Sequence, residues 1–170
     1  MRRAPIGWAM GAVLALAAPV AAQTNTPFGS FEHDSSQPIE VTANALAVNQ
    51  TDQTATFSGN VVAGQGTLRL TADEVLIEYS AEGGSETGAI RRLMADGNVF
   101  LSNGSEQSRG DRAEYDVARG AIFMEGNVIL TQGQNALSCD RLDIDLNAGT
   151  GNCTGRVETI FVPTAGAEDN

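Results

Sequence analysis

From residue 38 onward, apolar and polar side chains alternate one by one, in short runs that recur along the chain. After Asp73 the apolar positions are Val75, Ile77 and Tyr79; after Asp111 they are Ala113, Tyr115 and Val117; after Asp140 they are Leu142, Ile144 and Leu146. Leu46 and Val48 hold the same places after Asn44. The residues between them are mostly charged: Glu74 and Glu78, then Arg112, Glu114 and Asp116, then Arg141, Asp143 and Asp145. A period of two, with one wet side and one dry side, marks a half-buried β-strand. No helical period of comparable length occurs in this region, so the spacing predicts an all-β domain over residues 38–162.

The runs are copies of one unit. Gly-Asn-Val stands at Gly59–Val61, Gly97–Val99 and Gly126–Val128, with a looser copy at Gly155–Val157. Each of the first three glycines is followed 14 residues later by Asp73, Asp111 or Asp140. Asn44 and these three aspartates lie 29, 38 and 29 residues apart. Self-similarity at this period indicates stacked units that bury their apolar faces against their neighbours. The longer spacing holds an insertion around Glu82–Gly88, whose composition reads as an exposed loop. Gly and Asn at the repeat corners fit turns that need φ > 0, and the repeated Asp is expected to cap a turn through its own backbone. Calcium binding by these aspartates is disfavoured, because the Gly-Gly-x-Gly-x-Asp pattern of calcium β-rolls is missing.

The ends read differently. Arg2 and Arg3, the apolar Ile6–Ala18 and the small residues Val20–Ala22 have the form of a cleavable export signal over residues 1–22. The apolar run is short for a membrane span, which takes about 20 residues. Residues 23–37 read as a flexible leader and 163–170 as a frayed tail. Loss of the signal segment leaves 8 arginines and no lysine against 21 acidic residues, a net charge of −13 (8 − 21). Such a surface excludes nucleic acid and offers no basic patch to an anionic headgroup. It fits a soluble, exported protein.

Candidate chemistry is sparse. Asp143 and Asp145 are paired carboxylates, but they alternate with Leu142, Ile144 and Leu146 and so fall on the wet face, with no acid–base partner in the motif. There is no Cys-x-x-Cys, and His33 is the only histidine, so neither a metal nor a cofactor is expected. Cys139 aligns with Ala43, Ala72 and Gly110, and Cys153 with Phe57, Ala95 and Met124. Both columns look inward. In an oxidising compartment the pair can bridge; otherwise they are two small buried hydrophobes. The columns Val61, Val99, Val128 and Ile77, Tyr115, Ile144 either line an apolar groove or fill one another's space, as in a closed sandwich. At the ends of the stack, the first strand (Ile39 to Leu46) and the last (Arg156 to Val162) carry no internal Pro or Lys. Ile39, Val41 and the run Ile160-Phe161-Val162 therefore suit strand addition by a like domain, unless leader and tail cover these edges.

The opening Gln37, Pro38, Ile39 and Val41, together with the run GNVVAGQGTLRLTADEVLIEY (Gly59 to Tyr79), resembles the OstA-like (LptA) family. The resemblance spans about residues 37–162, and Asn44 departs from it where the other copies carry Asp. It implies a β-jellyroll, an open-ended stack of antiparallel strands with an apolar interior. It also implies a non-enzymatic periplasmic bridge that binds the lipid A acyl chains of lipopolysaccharide. Such a bridge joins end to end with like domains, between an inner-membrane transport complex and an outer-membrane translocon. Ile39 and Val41 match lipid-facing positions of the first strand, and Tyr115 and Val117 those of a central strand, with Phe57 and Leu101 as neighbours. Another class, a structural periplasmic β-repeat scaffold without lipid cargo, would self-associate without binding lipid.

Overall fold

The structure is a computed structural model that describes residue 34 and residues 36–80 and 88–162. The expected signal segment, most of the expected leader, residues 81–87 of the insertion and the expected tail over 163–170 lie outside the described residues. The rest is all-β, with no helix among the described residues. The strands are β1 (Glu40–Thr42), β2 (Ala45–Asn49), β3 (Thr54–Gln65), β4 (Leu68–Tyr79), β5 (Ile90–Ser102), β6 (Glu106–Asp116), β7 (Ala121–Gln132), β8 (Asn135–Asp145), β9 (Thr150–Thr154) and β10 (Glu158–Ile160). All pair antiparallel in one sheet of order β1-β3-β4-β5-β6-β7-β8-β10, with β2 also on β3 and β9 also on β8.

That pairing follows from bends in the long strands. The β3–β4 register slips between Ser58 and Val61, the β5–β6 register between Asp96 and Val99, and the β7–β8 register between Glu125 and Val128. Each slip contains a Gly-Asn pair with both residues at positive φ: 78° and 48° at Gly59-Asn60, 78° and 49° at Gly97-Asn98, 79° and 49° at Gly126-Asn127. Two successive left-handed residues insert a bulge and swing the strand. The sheet therefore divides along the bulges into two half-sheets. One holds β2, residues 54–58, 74–78, 92–96, 112–116, 121–125 and 141–145, and β9. The other holds β1, residues 61–65, 68–72, 99–102, 106–110, 128–132 and 135–139, and β10.

The half-sheets face each other. Ser108 Oγ, on β6 in one, donates to Met124 Sδ on β7 in the other at 3.0 Å. Between them lies a single apolar core that includes Val75, Ile77, Leu93, Met124, Val128, Leu142 and Ile144. Full burial of each such side chain is worth about 1.5–3 kcal/mol, so the inward period-2 residues carry the fold.

The repeat aspartate does not cap its own turn as the sequence reading expects. It reaches the bulge of the next copy. Asp73 Oδ2 accepts from Asn98 Nδ2 at 2.7 Å, Asp111 Oδ2 from Asn127 Nδ2 at 3.1 Å, and Asp140 Oδ2 from the Arg156 amide at 3.2 Å. At the corresponding place in the first copy the Asn44 backbone N–H donates to Gly59 O at 3.0 Å. The conserved spacing is thus a strand-to-strand clamp, visible only once neighbouring copies lie side by side. The first expected strand is also split at Asn44 into β1 and β2, and the last is shorter than expected, with Phe161 and Val162 beyond β10.

Candidate functional site

The inner faces form ladders that run from one edge of the stack to the other. In the first half-sheet Leu46, Phe57, Val75, Ala95, Ala113, Met124, Leu142 and Cys153 stand opposite one another in sequence. Beside them run Val48, Ala55, Ile77, Leu93, Tyr115, Ile122, Ile144 and Gly151. In the second half-sheet a row leads from Val41 through Ala63, Leu70, Leu101, Ser108, Leu130 and Leu137 to Thr159. Strand alternation alone produces these rows, since every second side chain points the same way.

The candidate interior residues all take part in this core. Val61, Ile77, Val99, Leu101, Tyr115, Val128 and Ile144 are buried within it, and Ile39, Val41, Phe57 and Val117 pack against it half-buried. The interior is closely packed. A small apolar cavity of about 30 Å³ lies against Ile39, Gln65, Leu101, Tyr115 and Ile122. That is room for a water-sized group, and an acyl chain would have to part the half-sheets.

Tyr115 spans the cavity's rim and donates to Gln65 Oε1 at 3.1 Å, while Gln65 Nε2 donates to Gln37 O at 2.8 Å. Burial, with the Asp116 carboxylate as the smaller cause, pushes the Tyr115 hydroxyl above its ordinary value, so it stays a donor.

Among the described residues β2 pairs only with β3 and β9 only with β8. Leu46 and Val48 on β2 are 56% and 65% exposed, and at the other end Ile160, Phe161 and Val162 are 66%, 55% and 45% exposed. Sequence reasoning gave the first edge as one strand, Ile39 to Leu46, with Ile39 and Val41 as its assembly residues. The structure makes two edge strands of it, β1 and β2, and carries the second through Val48. The split at Asn44, which gives each half-sheet its own edge strand, is the reason. Cys139 and Cys153 form a disulfide with a Cα–Cα distance of 5.9 Å, which fastens β9 to β8 across the bend.

The wet face carries charge in pairs. Arg112 meets Asp96 at 2.6 Å, Arg92 meets Glu114 at 3.2 Å, and Arg141 meets Glu125 at 2.5 Å and Asp143 at 2.7 Å. Asp143 is thereby an ion-pair partner. Asp145 Oδ1 accepts the amides of Asn147 and Ala148 at 2.9 and 3.0 Å, as a turn residue does. The two carboxylates thus have separate structural tasks, and no group of three or more metal-ligating side chains occurs among the described residues.

Comparison with known proteins agrees with this architecture. The family model "LptA/(LptD N-terminal domain) LPS transport protein" matches residues 40–150. An uncharacterized protein of Rhizobium meliloti (strain 1021) is 30% identical over 119 residues, covering 68% of this chain. The match spans 64% of that relative's own length. Among solved structures, this chain is similar to LptH, the LptA-homologous periplasmic component of the lipopolysaccharide transport device of Pseudomonas aeruginosa. There the TM-score is 0.67 at 18% identity, over 76% of this chain and 99% of that one, which shows a common fold. The chain therefore belongs to the LptA/LptD N-terminal-domain family of lipopolysaccharide transport proteins, a family of transport β-jellyrolls and not of enzymes.

Proposed function

We propose that this chain is a periplasmic bridge protein that binds the acyl chains of lipopolysaccharide between its half-sheets. In this reading it passes them from an inner-membrane transport complex toward an outer-membrane translocon, joined end to end with like domains. The observation that carries the proposal is the pair of inward apolar ladders of the first half-sheet. They run from Leu46 and Val48 on β2 to Cys153 and Gly151 on β9, two edge strands that take no further partner among the described residues. A second copy adding β-strands at those edges would prolong the same rows. Burying an acyl chain is worth roughly 0.8 kcal/mol per CH₂, so a dozen methylenes would gain about 10 kcal/mol. That gain is large enough to oppose the loss of packing when the half-sheets separate. The solvated acidic face would leave sugars and phosphates outside, and the lack of lysine would keep them loosely held.

A second reading, a structural scaffold without lipid cargo, draws on the close packing of the interior. Photocrosslinking separates the two. A photoreactive residue at Ile144, buried on the inner face, is compared with one at Asp143 on the wet face, each with purified lipopolysaccharide. Crosslinks at 144 and none at 143 are expected. A folded, self-associating protein that crosslinks at neither position would be a scaffold.

A further inference from the structure

Among the described residues three polar side chains are buried in this core, Gln65, Glu106 and Ser108, and their placement is not random. Gln65 ends β3 and Glu106 begins β6, both at the hairpin ends of the second half-sheet, remote from the bulges. Glu106 stands opposite Gln132 in the ladder, so this rim of the half-sheet is polar where the rows behind it are apolar. Tyr115 is next to last in β6, at the hairpin end of the other half-sheet. Its 3.1 Å bond to Gln65 thus joins the two free rims on the side opposite the bends, and the cavity of about 30 Å³ lies against that bond.

This rim is where a chain entering sideways would cross from water into the core. A plain methylene chain would break the Tyr115–Gln65 bond and offer no hydrogen bond in its place, which opposes such an exchange. A hydroxyl on the chain would accept from Tyr115 Oη–H and donate to Gln65 Oε1, replacing the bond that it breaks. We propose that Gln65 and Tyr115 form a hydrogen-bonding subsite that selects acyl chains bearing a hydroxyl. This rests on the lipid-carrying reading and gives that interior a preference among its ligands.

The test titrates the full mature chain with 3-hydroxytetradecanoic acid and with tetradecanoic acid, each displacing a fluorescent acyl probe. The expected result is about fivefold tighter binding of the hydroxylated acid, the scale of one net hydrogen bond. In the Tyr115→Phe, Gln65→Leu double variant this preference should fall to less than about twofold. Equal affinity of the unaltered protein for the two acids overturns the inference and leaves the lipid-carrying reading standing. A preference that survives the double variant overturns the assignment to this pair. Binding of neither acid nor of lipopolysaccharide overturns both. The comparison on the unaltered protein does not depend on whether the variants fold.

Discussion

At Gly97 the backbone runs at φ +78°, and a Cβ built there would lie 2.5 Å from the Asp73 carboxylate oxygen that holds Asn98. Two constraints meet in one residue: a left-handed conformation, and a clamp that fills the space above it. A side chain at such a φ costs about 1–2 kcal/mol, and displacing the carboxylate adds to it. Gly97→Ala is therefore expected to lower unfolding free energy by about 2 kcal/mol or more, read by urea titration. Gly104→Ala is the control, since its φ of +98° brings the backbone term but its Cβ would meet nothing within 4 Å. If the two variants lose equal stability, the clamp adds nothing. Glycine at these corners could be read from the sequence; the partner that presses on it could not, because the nearest aspartate in the chain is not the one in contact.

The strands themselves were legible because alternation is a local property, and β4, β8 and the second part of β6 follow it closely. The first part of β6 does not: Glu106, Gln107, Ser108 and Arg109 are polar on both faces. Counting columns back from Gly110 would still have placed Ser108 with Leu70 and Leu137, and Glu106 with Leu68 and Asn135, on the inner face. At the last edge, the Cys139–Cys153 bridge closes a loop with a sequence separation of 14 and holds β9 on β8. A loop of this size predicts about 3 kcal/mol of stabilisation from restriction of the unfolded chain. The Cys139→Ala, Cys153→Ala double variant should lose about 2–4 kcal/mol in urea. It should also become insensitive to dithiothreitol. A bridge that matters only for stability leaves hydrogen exchange in β9 and in β3 equally affected; an edge staple raises it in β9 first.

Over the whole molecule, both ends of the stack carry exposed apolar side chains, Leu46 and Val48 on β2 at one side and Ile160 and Phe161 at the other. If copies join head to tail, one lysine at either edge should suffice to end growth, as charge protects natural edges. Val48→Lys and Ile160→Lys should each reduce the concentration-dependent species seen by analytical ultracentrifugation, and a mixture of the two should form dimers through the edges left intact. Unchanged sedimentation of both variants would place any self-association elsewhere.

The sequence by itself determined the all-β character, the repeat unit and the inward columns, because each depends on residues close together or repeated in step. The Gly-Asn corners, expected at turns, lie inside β3, β5 and β7 as bulges. Tertiary structure decided the rest. It set each aspartate on the bulge of the following copy, divided the first strand between two half-sheets, and joined Cys139 to Cys153. It also brought Tyr115 to Gln65, 50 residues apart, across a nearly filled interior. The physical reason is that alternation tells which face a side chain takes, whereas packing distance depends on how sharply the bulges fold one half-sheet over the other.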